Sequence, residues 1–214
     1  MSSKLKRDQI PPVEARNWRK NFNEEKEKTF NLVVPRIILE KDTYLKLAGE
    51  NENRVRIYLA LEEEKQNGKN VLCAFAVSAF LLGSGDVYAD YETPVFKLEE
   101  KNVDYSNNTQ AVIDSIRRYR KWRSGEIDAE DAEAKVRQYI YPNAYLLTKF
   151  ELHEIFITQS QTEAEIDFGV SKVLNTMIYP GIMEEASKND GSGEVFDVAG
   201  LCPPFCDERS IYNT

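Results

Sequence analysis

Residues 54–61 read RVRIYLAL and residues 71–82 read VLCAFAVSAFLL. The first stretch alternates apolar side chains with polar or aromatic ones, which is the period of a strand with one buried and one exposed face. The second stretch is apolar on both faces, so we expect it to lie centrally in a sheet under helical cover. Asn67-Gly68, between them, readily adopts the positive φ of a hairpin turn. The two stretches are therefore predicted to pair as an antiparallel hairpin over residues 54–82.

The rest of the chain predicts helices on both sides of this hairpin. Apolar residues recur at helical spacing in several segments that are bounded by prolines, by a glycine cap or by polar side chains able to cap a helix start. The predicted helices cover residues 12–30, 40–48, a segment starting at 108 or 109, 128–141, 143–157 and 163–178. A third strand is predicted over residues 90–98, with Pro94 at its start or on a sheet edge. The expected fold class is α+β: a small antiparallel sheet around the 54–82 hairpin, covered by about five helices.

The chain is expected to form one domain. Its 214 residues are 42% hydrophobic, which excludes wholesale disorder. We predict a single α+β domain over residues 1–214. Residues 188–214 start with the glycine-containing run KNDGSG and carry the segment CPPFC, so this part is predicted to be a flexible acidic tail or to return as an edge strand.

The overall charge is acidic. The sequence has 28 Lys and Arg against 36 Asp and Glu, a formal net charge of −8, and this balance does not favour generic nucleic-acid binding. Residues 1–8 carry basic charge without a following apolar run, and the apolar run 71–82 is shorter than a membrane span of about 20 residues. We therefore predict no secretory signal, no lipid anchor and no membrane association, and the expected compartment is the cytoplasm.

The charge is also unevenly distributed. Residues 159–214 contain three Lys or Arg against ten Asp or Glu, so this third holds nearly all of the net charge. It could dock internally onto a basic helix, or it could make a head-to-tail contact between two copies of the chain. The sequence leaves both alternatives open.

The basic helix in question is the segment RRYRKWR at residues 117–123. It predicts a patch for an acidic partner, such as a phosphorylated ligand or an acidic protein, and RNA or single-stranded DNA could use the same charges by stacking bases on Trp122 or Tyr119. The alternative, which the sequence favours, is a solvated helix neutralised by the acidic residues at 126, 128, 130, 131 and 133. The candidate binding residues are Arg117, Arg118, Arg120, Lys121, Trp122 and Arg123.

Cys202 and Cys206 form a second candidate site, in which two prolines separate the cysteines. A disulfide needs the two Cα atoms within about 7 Å, which a turn provides and an extended Pro-Pro segment does not. The functional interpretation is a redox switch or a cap that fixes the tail. The favoured alternative is a pair of ordinary reduced thiols in a reducing cytoplasm. Cys73 lies in the apolar strand and is predicted to be a core thiol.

His153 is the one histidine and hence the one ordinary candidate for a general base. It falls on an apolar helical stripe, so a buried structural histidine is the favoured interpretation and His153 is a weak site candidate. Three cysteines and one histidine could supply at most one zinc site. We predict no metal site, no cofactor and no catalytic motif.

Several landmarks together resemble a family. The strand with Arg56 and Tyr58, the apolar strand 71–77, and the tail that combines Phe196-Asp197 with a Cys-Pro-Pro-x-Cys segment are similar to a group of uncharacterised small proteins from Bacteroidota. The second strand departs from that group in being richer in alanine. The resemblance implies a shared lineage and a core hairpin, and it implies no activity.

The function expected from the sequence is a non-catalytic module that binds a protein or a small ligand, with self-association as a further option. Two alternatives stay open. One is a thiol-based redox protein that uses Cys202 and Cys206, and the other is binding of nucleic acid or a phosphorylated ligand through residues 117–123. An enzyme is not favoured, because no set of nucleophile, base and orienting group can be assembled from the residues.

Overall fold

A computed structural model describes residues 5–83, 85–128, 131–191, 193–197 and 199–214. The strands in chain order are β1 (Ile37–Glu40), β2 (Arg54–Leu61), β3 (Leu72–Leu81), β4 (Tyr88–Lys97), β5 (Val103–Asp104), β6 (Ala144–Leu146), β7 (Glu163–Val170), β8 (Leu174–Pro180) and β9 (Gly200–Cys202). The helices are α1 (Pro12–Glu25, continued by a π-helical turn at Lys26–Phe30), α2 (Lys41–Ala48), α3 (Thr109–Ser124), α4 (Asp131–Ile140), α5 (Lys149–His153, continued by a π-helical turn at Glu154–Thr158) and α6 (Glu185–Asp190). The strands form two antiparallel sheets, in the orders β5-β4-β3-β2-β6-β9 and β1-β7-β8.

The predicted α+β class and the predicted hairpin are confirmed. β2 and β3 pair antiparallel along their length, with Tyr58 opposite Phe75. Asn67 and Gly68 have φ values of +52° and +77°, as the turn between the strands requires. β3 lies centrally, between β2 and β4, and its residues 72–79 are buried. Alternate side chains belong to two cores on opposite sides of the sheet, so both apolar faces are covered.

β2 is buried on both faces, which corrects the prediction of a strand with one exposed face. Its Val55 side joins a core shared by the two sheets, and on the other side Arg56 and Tyr58 are also buried. Helix α3 and residues near the C-terminus, including Tyr212, cover that second side. The alternation of apolar and polar residues in β2 could not indicate that its second face is buried, because a polar residue such as Arg56 usually marks an exposed face.

The second sheet replaces a predicted helix. Residues 163–178 form the hairpin β7-β8, so the helix predicted there is wrong. Every second residue from Ala164 to Val170 is apolar, which is a strand period, but Ile166, Val170 and Met177 also fit helical spacing. Tertiary pairing decides between the two patterns: β7 pairs with β1 on one side and with β8 on the other.

The helix predicted over residues 143–157 is also wrong in its first part. β6 occupies residues 144–146 and pairs with β2, and the helix begins only after Thr148. The Thr148 hydroxyl accepts a hydrogen bond from the Glu151 backbone N–H, and the Glu151 side chain accepts one from the Thr148 N–H, which is a capping box. The helix buries Leu152, Ile155 and Phe156, whereas Phe150 and Ile157 of the predicted apolar stripe are exposed. His153 lies on the same outer side, so it is exposed and not buried as predicted.

Helix α4 lies within the predicted segment, but its buried face differs from the predicted stripe. Val136 and Tyr139 are exposed, whereas Arg137 is buried with its guanidinium 4.5 Å from the centre of the Trp122 ring. The side chain of Ala132, also assigned to the predicted stripe, lies outside the described residues. Arg137 is therefore buried because its guanidinium stacks on the Trp122 ring, and the spacing of apolar residues does not indicate such a cation–π contact.

The C-terminal part packs onto both sheets where the structure describes it. Lys188 contacts carboxylates of β7, and Phe196 forms a β-bridge with Ile178 of β8 in the smaller sheet. β9 pairs with β6 at the edge of the larger sheet, with Cys202 opposite Ala144, as the edge-strand alternative predicted. Cys202 and the buried Tyr212 belong to the core on the Tyr58 side of that sheet.

Candidate functional site

A cleft at the C-terminal end of α3 brings together four of the six residues predicted to bind an anion. The cleft has a volume of about 320 Å³. We call it the basic cleft and define it by its lining residues: Arg117, Arg120, Lys121, Arg123, Ser124, Glu126, Asn143 and Thr214.

Helical geometry selects these side chains. Arg117, Arg120, Lys121 and Ser124 follow one another at intervals of three, one and three residues, which places them on one side of α3. Tyr119 on the opposite side is fully buried, as predicted. Four of the five cationic residues of the segment 117–123 therefore line one cleft, and Arg118 does not.

The cations of the basic cleft are poorly neutralised. In the described structure their one ion pair joins Arg117 to Asp114, over 3.8 Å, and Glu126 is the one carboxylate that lines the cleft. The acidic residues expected to neutralise the helix lie elsewhere: Asp128 pairs with Lys65, and Glu133 pairs with Arg137. The side chains of Glu130 and Asp131 lie outside the described residues.

Arg120 is held by residues 212–214. Its Nη1 donates to the Thr214 backbone oxygen, and its Nη2 donates to Asn213 Oδ1 over 2.7 Å and to the Tyr212 carbonyl oxygen over 3.4 Å. Its buried Nε has no hydrogen-bond partner among the described residues. Burial lowers the pKa of Arg120 because it disfavours the charged form, and the neighbouring Arg123 lowers it further. An anion in the cleft would offset this cost.

Arg123 and Asn143 have related environments. Arg123 donates from Nε to the Tyr141 carbonyl oxygen and from Nη2 to the Gln138 carbonyl oxygen, over 2.6 Å for the second bond. Burial lowers the pKa of Arg123 as well. The buried side-chain oxygen of Asn143 has no hydrogen-bond partner in the part of the chain that the structure describes. The basic cleft thus contains two partly desolvated guanidiniums and an unpartnered acceptor that could receive a proton donor of a ligand.

Two of the six residues predicted to bind an anion lie outside the basic cleft. Arg118 donates to the Leu61 carbonyl oxygen over 3.2 Å and to the Ser115 hydroxyl over 2.8 Å, on another side of the helix. Trp122 is 1% exposed and packs against Phe30 and Tyr141. With Tyr119 also buried, the segment 117–123 offers no aromatic face on which a base could stack.

Cys202 and Cys206 are joined by a disulfide, which differs from the favoured prediction of two reduced thiols. The loop turns sharply enough to bring their Cα atoms within 4.8 Å, so the extended arrangement that would have kept them apart does not occur. Cys202 is buried and Cys206 is partly exposed. Cys73 is buried as predicted, and burial raises the pKa of its thiol.

A buried ion pair beside this loop was not among the predicted sites. Arg56 donates from Nε to Asp90 Oδ1 over 2.6 Å and from Nη1 to the carbonyl oxygen of Phe205. The Tyr58 hydroxyl donates to the second oxygen of Asp90, and the Asp90 backbone N–H donates to Asp207. A sequence signal existed, because an arginine that alternates with core residues inside a strand requires a buried counter-charge if that face is covered.

Three carboxylates of the acidic third, those of Glu165, Asp167 and Glu185, pair with cations away from the basic helix. A cleft of about 440 Å³ between α1, β7 and α6 contains a buried ionic network. Lys188 lies within 3.2 Å of carboxylate oxygens of Glu165, Asp167 and Glu185, and Arg19 pairs with Asp167 over 2.7 Å. Because these charges satisfy one another within the fold, the network is best explained as a structural tie between the three elements.

Asp197 is a partly buried residue whose carboxyl group forms no ion pair with a described residue. Its Oδ1 accepts a hydrogen bond from the Thr176 hydroxyl over 3.0 Å, and burial raises the pKa of Asp197 to about 7. The folded state therefore holds a proton that the unfolded chain releases near pH 4. Stability supplied by this group is present below pH 4 and is lost as the pH rises to about 7.

We accordingly expect Asp197→Asn to be more stabilising at pH 8 than at pH 4, by up to about 4 kcal/mol. The reason is that asparagine stays neutral at both values, whereas the buried aspartate must ionise at the higher one. Urea unfolding of both proteins at the two pH values measures the difference. An effect of the substitution that is equal at pH 4 and pH 8 would show that Asp197 titrates normally in the folded chain.

Comparison of the chain with protein-family models, with curated proteins and with solved structures gave no match. Among the described helices, none combines the length and apolar character needed to cross a membrane. Among the described residues, no three His, Cys, Asp or Glu side chains are grouped as metal ligands would be.

Proposed function

We propose that the protein is a non-catalytic module that binds a small phosphorylated ligand in the basic cleft. The observation that carries this proposal is the convergence of Arg117, Arg120, Lys121 and Arg123 on one cleft, with a single long ion pair among them. Guanidinium and ammonium groups that lack carboxylate partners are the donors that bind phosphate oxygens. The Nε of Arg120 has no hydrogen-bond partner among the described residues, so an anion that reached it would satisfy it.

The size of the cleft and the burial of the aromatic residues favour a small ligand over a nucleic acid. A volume of about 320 Å³ falls at the lower end of small-molecule sites. Trp122 and Tyr119, the residues that could have stacked on bases, belong to the core. The net charge of −8 also opposes a long polyanion, whereas a compact anion interacts mainly with the cleft itself.

The proposal of a binding role without catalysis rests on where the reactive side chains lie. His153 is exposed at the end of α5, and Cys73 is buried within β3. Neither lines the basic cleft. We also propose a cytoplasmic location, where a disulfide such as Cys202–Cys206 would be a reversible one. Association with a protein partner or with a second copy stays a prediction.

Calorimetric titration with inorganic pyrophosphate tests the proposed function. We expect saturable binding with one ligand per chain, and we expect the double variant Arg117→Ala/Lys121→Ala to weaken it by about tenfold or more, because both side chains are exposed and remote from the core. Added salt should weaken binding, since the interaction is between charges at a solvent-accessible cleft.

The matched control is Lys101→Ala/Lys172→Ala, which removes the same two charges from exposed positions outside the basic cleft. We expect it to change the affinity by less than about twofold. Absence of binding to the unmodified protein would contradict the proposal. An equal loss in the control would show that overall charge, and not the cleft, attracts the anion.

A further inference from the structure

The segment 207–214 links the disulfide loop to the basic cleft. It follows Cys206 directly and ends at Thr214, which lines the cleft. Tyr212 is its inner anchor: the residue is fully buried, its ring centre lies 5.7 Å from that of Tyr58, and its hydroxyl donates to the Glu92 carbonyl oxygen. The loop and the cleft are therefore joined by eight residues of backbone, which Tyr212 anchors to the core.

The last three residues occupy much of the hydrogen-bonding capacity of Arg120. Tyr212, Asn213 and Thr214 accept three hydrogen bonds from its two terminal nitrogens. The remaining Nε is out of contact with solvent and has no partner. Most donors of this guanidinium therefore become available to an anion only when the three residues move away.

The disulfide fixes the other end of the segment. Cys202 is buried in the core on the Tyr58 side of the sheet, and the bond ties the partly exposed Cys206 to it. The loop so closed presents the Phe205 carbonyl oxygen to Arg56. Without the covalent tie, the segment would be held by side-chain contacts alone, because β9 ends at Cys202.

We propose that the Cys202–Cys206 disulfide is a redox latch that keeps residues 207–214 over Arg120, so that its reduction frees this arginine and tightens binding in the basic cleft. The inference rests on the proposed function, since the cleft must bind an anion for the latch to act on it. It makes the C-terminal segment an autoinhibitory contact whose strength depends on the thiol redox state.

The chemical step requires a dithiol reductant. A thiolate of the reductant attacks Sγ of the partly exposed Cys206, the S–S bond breaks, and Cys202 leaves as a thiolate that takes up a proton. The second thiol of the reductant then attacks the mixed disulfide as its thiolate and releases Cys206, which is also protonated. Two electrons and two protons pass to the protein, and the reductant leaves as a disulfide.

Pyrophosphate affinity measured before and after treatment with dithiothreitol tests the latch. We expect reduction to raise the affinity by about fivefold or more, which is the scale of a typical coupling between two sites. The variant Cys202→Ser/Cys206→Ser should bind as tightly as the reduced protein and should not respond to dithiothreitol. The control Cys73→Ala retains both latch cysteines and should respond as the unmodified protein does.

Hydrogen exchange of the amides in residues 207–214 supplies a second measurement that needs no ligand. We expect exchange there to accelerate on reduction, because the segment loses its covalent tie. Equal affinity in both redox states would overturn the latch and leave the proposed function standing. Absence of pyrophosphate binding in both states would overturn the proposed function, and with it the claim that the latch tightens binding. Unchanged exchange on reduction would overturn the latch by showing that the disulfide does not hold the segment.

Discussion

Arg56→Met is expected to lower the free energy of unfolding by about 3–5 kcal/mol. Arg56 is 0% exposed, and its guanidinium compensates Asp90 and binds the Phe205 and Tyr88 carbonyl oxygens. Methionine can fill the space, but it leaves the Asp90 carboxylate buried without a counter-charge and two carbonyl oxygens without donors. Urea unfolding at neutral pH measures the loss.

Two further variants show whether the loss of stability comes from breaking this ion pair or from losing any cation. Adding Asp90→Asn to Arg56→Met should restore part of the lost stability, because it removes the unpaired charge. Lys65→Met, which breaks an ion pair with Asp128 that is about half exposed on both sides, should cost less than about 1 kcal/mol. A double variant whose loss equals the sum of the two single losses would show that Arg56 and Asp90 are not coupled.

Lys188→Met is expected to have an effect of similar size, about 3–5 kcal/mol. The Lys188 ammonium group is 3% exposed and contacts carboxylates from β7 and from its own helix, α6. Its loss leaves Glu165 and Asp167 close together and buried, with Arg19 and the partly exposed Arg36 as their remaining cations. Thermal or urea unfolding detects the change.

Arg36→Met is the matched control, because Arg36 contacts the same Glu165 oxygen over 3.2 Å but its side chain is 43% exposed. We expect it to cost less than about 1 kcal/mol, since water screens an exposed ion pair. Similar losses for Lys188→Met and Arg36→Met would contradict the buried network, and with it the placement of α6 against β7.

The parts of the fold that could be predicted are those in which local pattern and tertiary environment agree. In the hairpin of β2 and β3, the apolar pattern of the strands and the turn residues Asn67-Gly68 both indicate paired strands, and the buried position of the strands agrees with them. The sequence of β7 did not allow a strand to be predicted, because its apolar residues fit the spacing of a strand and also the spacing of a helix. Its pairing with β1 joins Ile37 to Ile166, more than a hundred residues away, and no local signal encodes that contact.

The sequence indicated which segment carries the candidate site, but not which of its side chains line the cleft. The segment 117–123 was conspicuous for its charge, and helical spacing alone groups Arg117, Arg120 and Lys121. The burial of Trp122 depends on Tyr141 and Phe30, and the engagement of Arg120 depends on residues 212–214. These are long-range contacts, so a sequence pattern could not separate the residues that line the cleft from those that serve the core.

The most direct test of anion binding in the basic cleft is an NMR titration that follows the arginine Nε–H resonances as pyrophosphate is added under reducing conditions. We expect the Arg120 and Arg123 resonances to shift saturably, with the same dissociation constant that calorimetry gives, while those of Arg19 and Arg54, outside the cleft, stay in place. Arg120→Lys identifies the first resonance by removing it. A titration in which Arg120 does not respond, or in which Arg19 and Arg54 shift equally, would contradict a ligand site in the basic cleft.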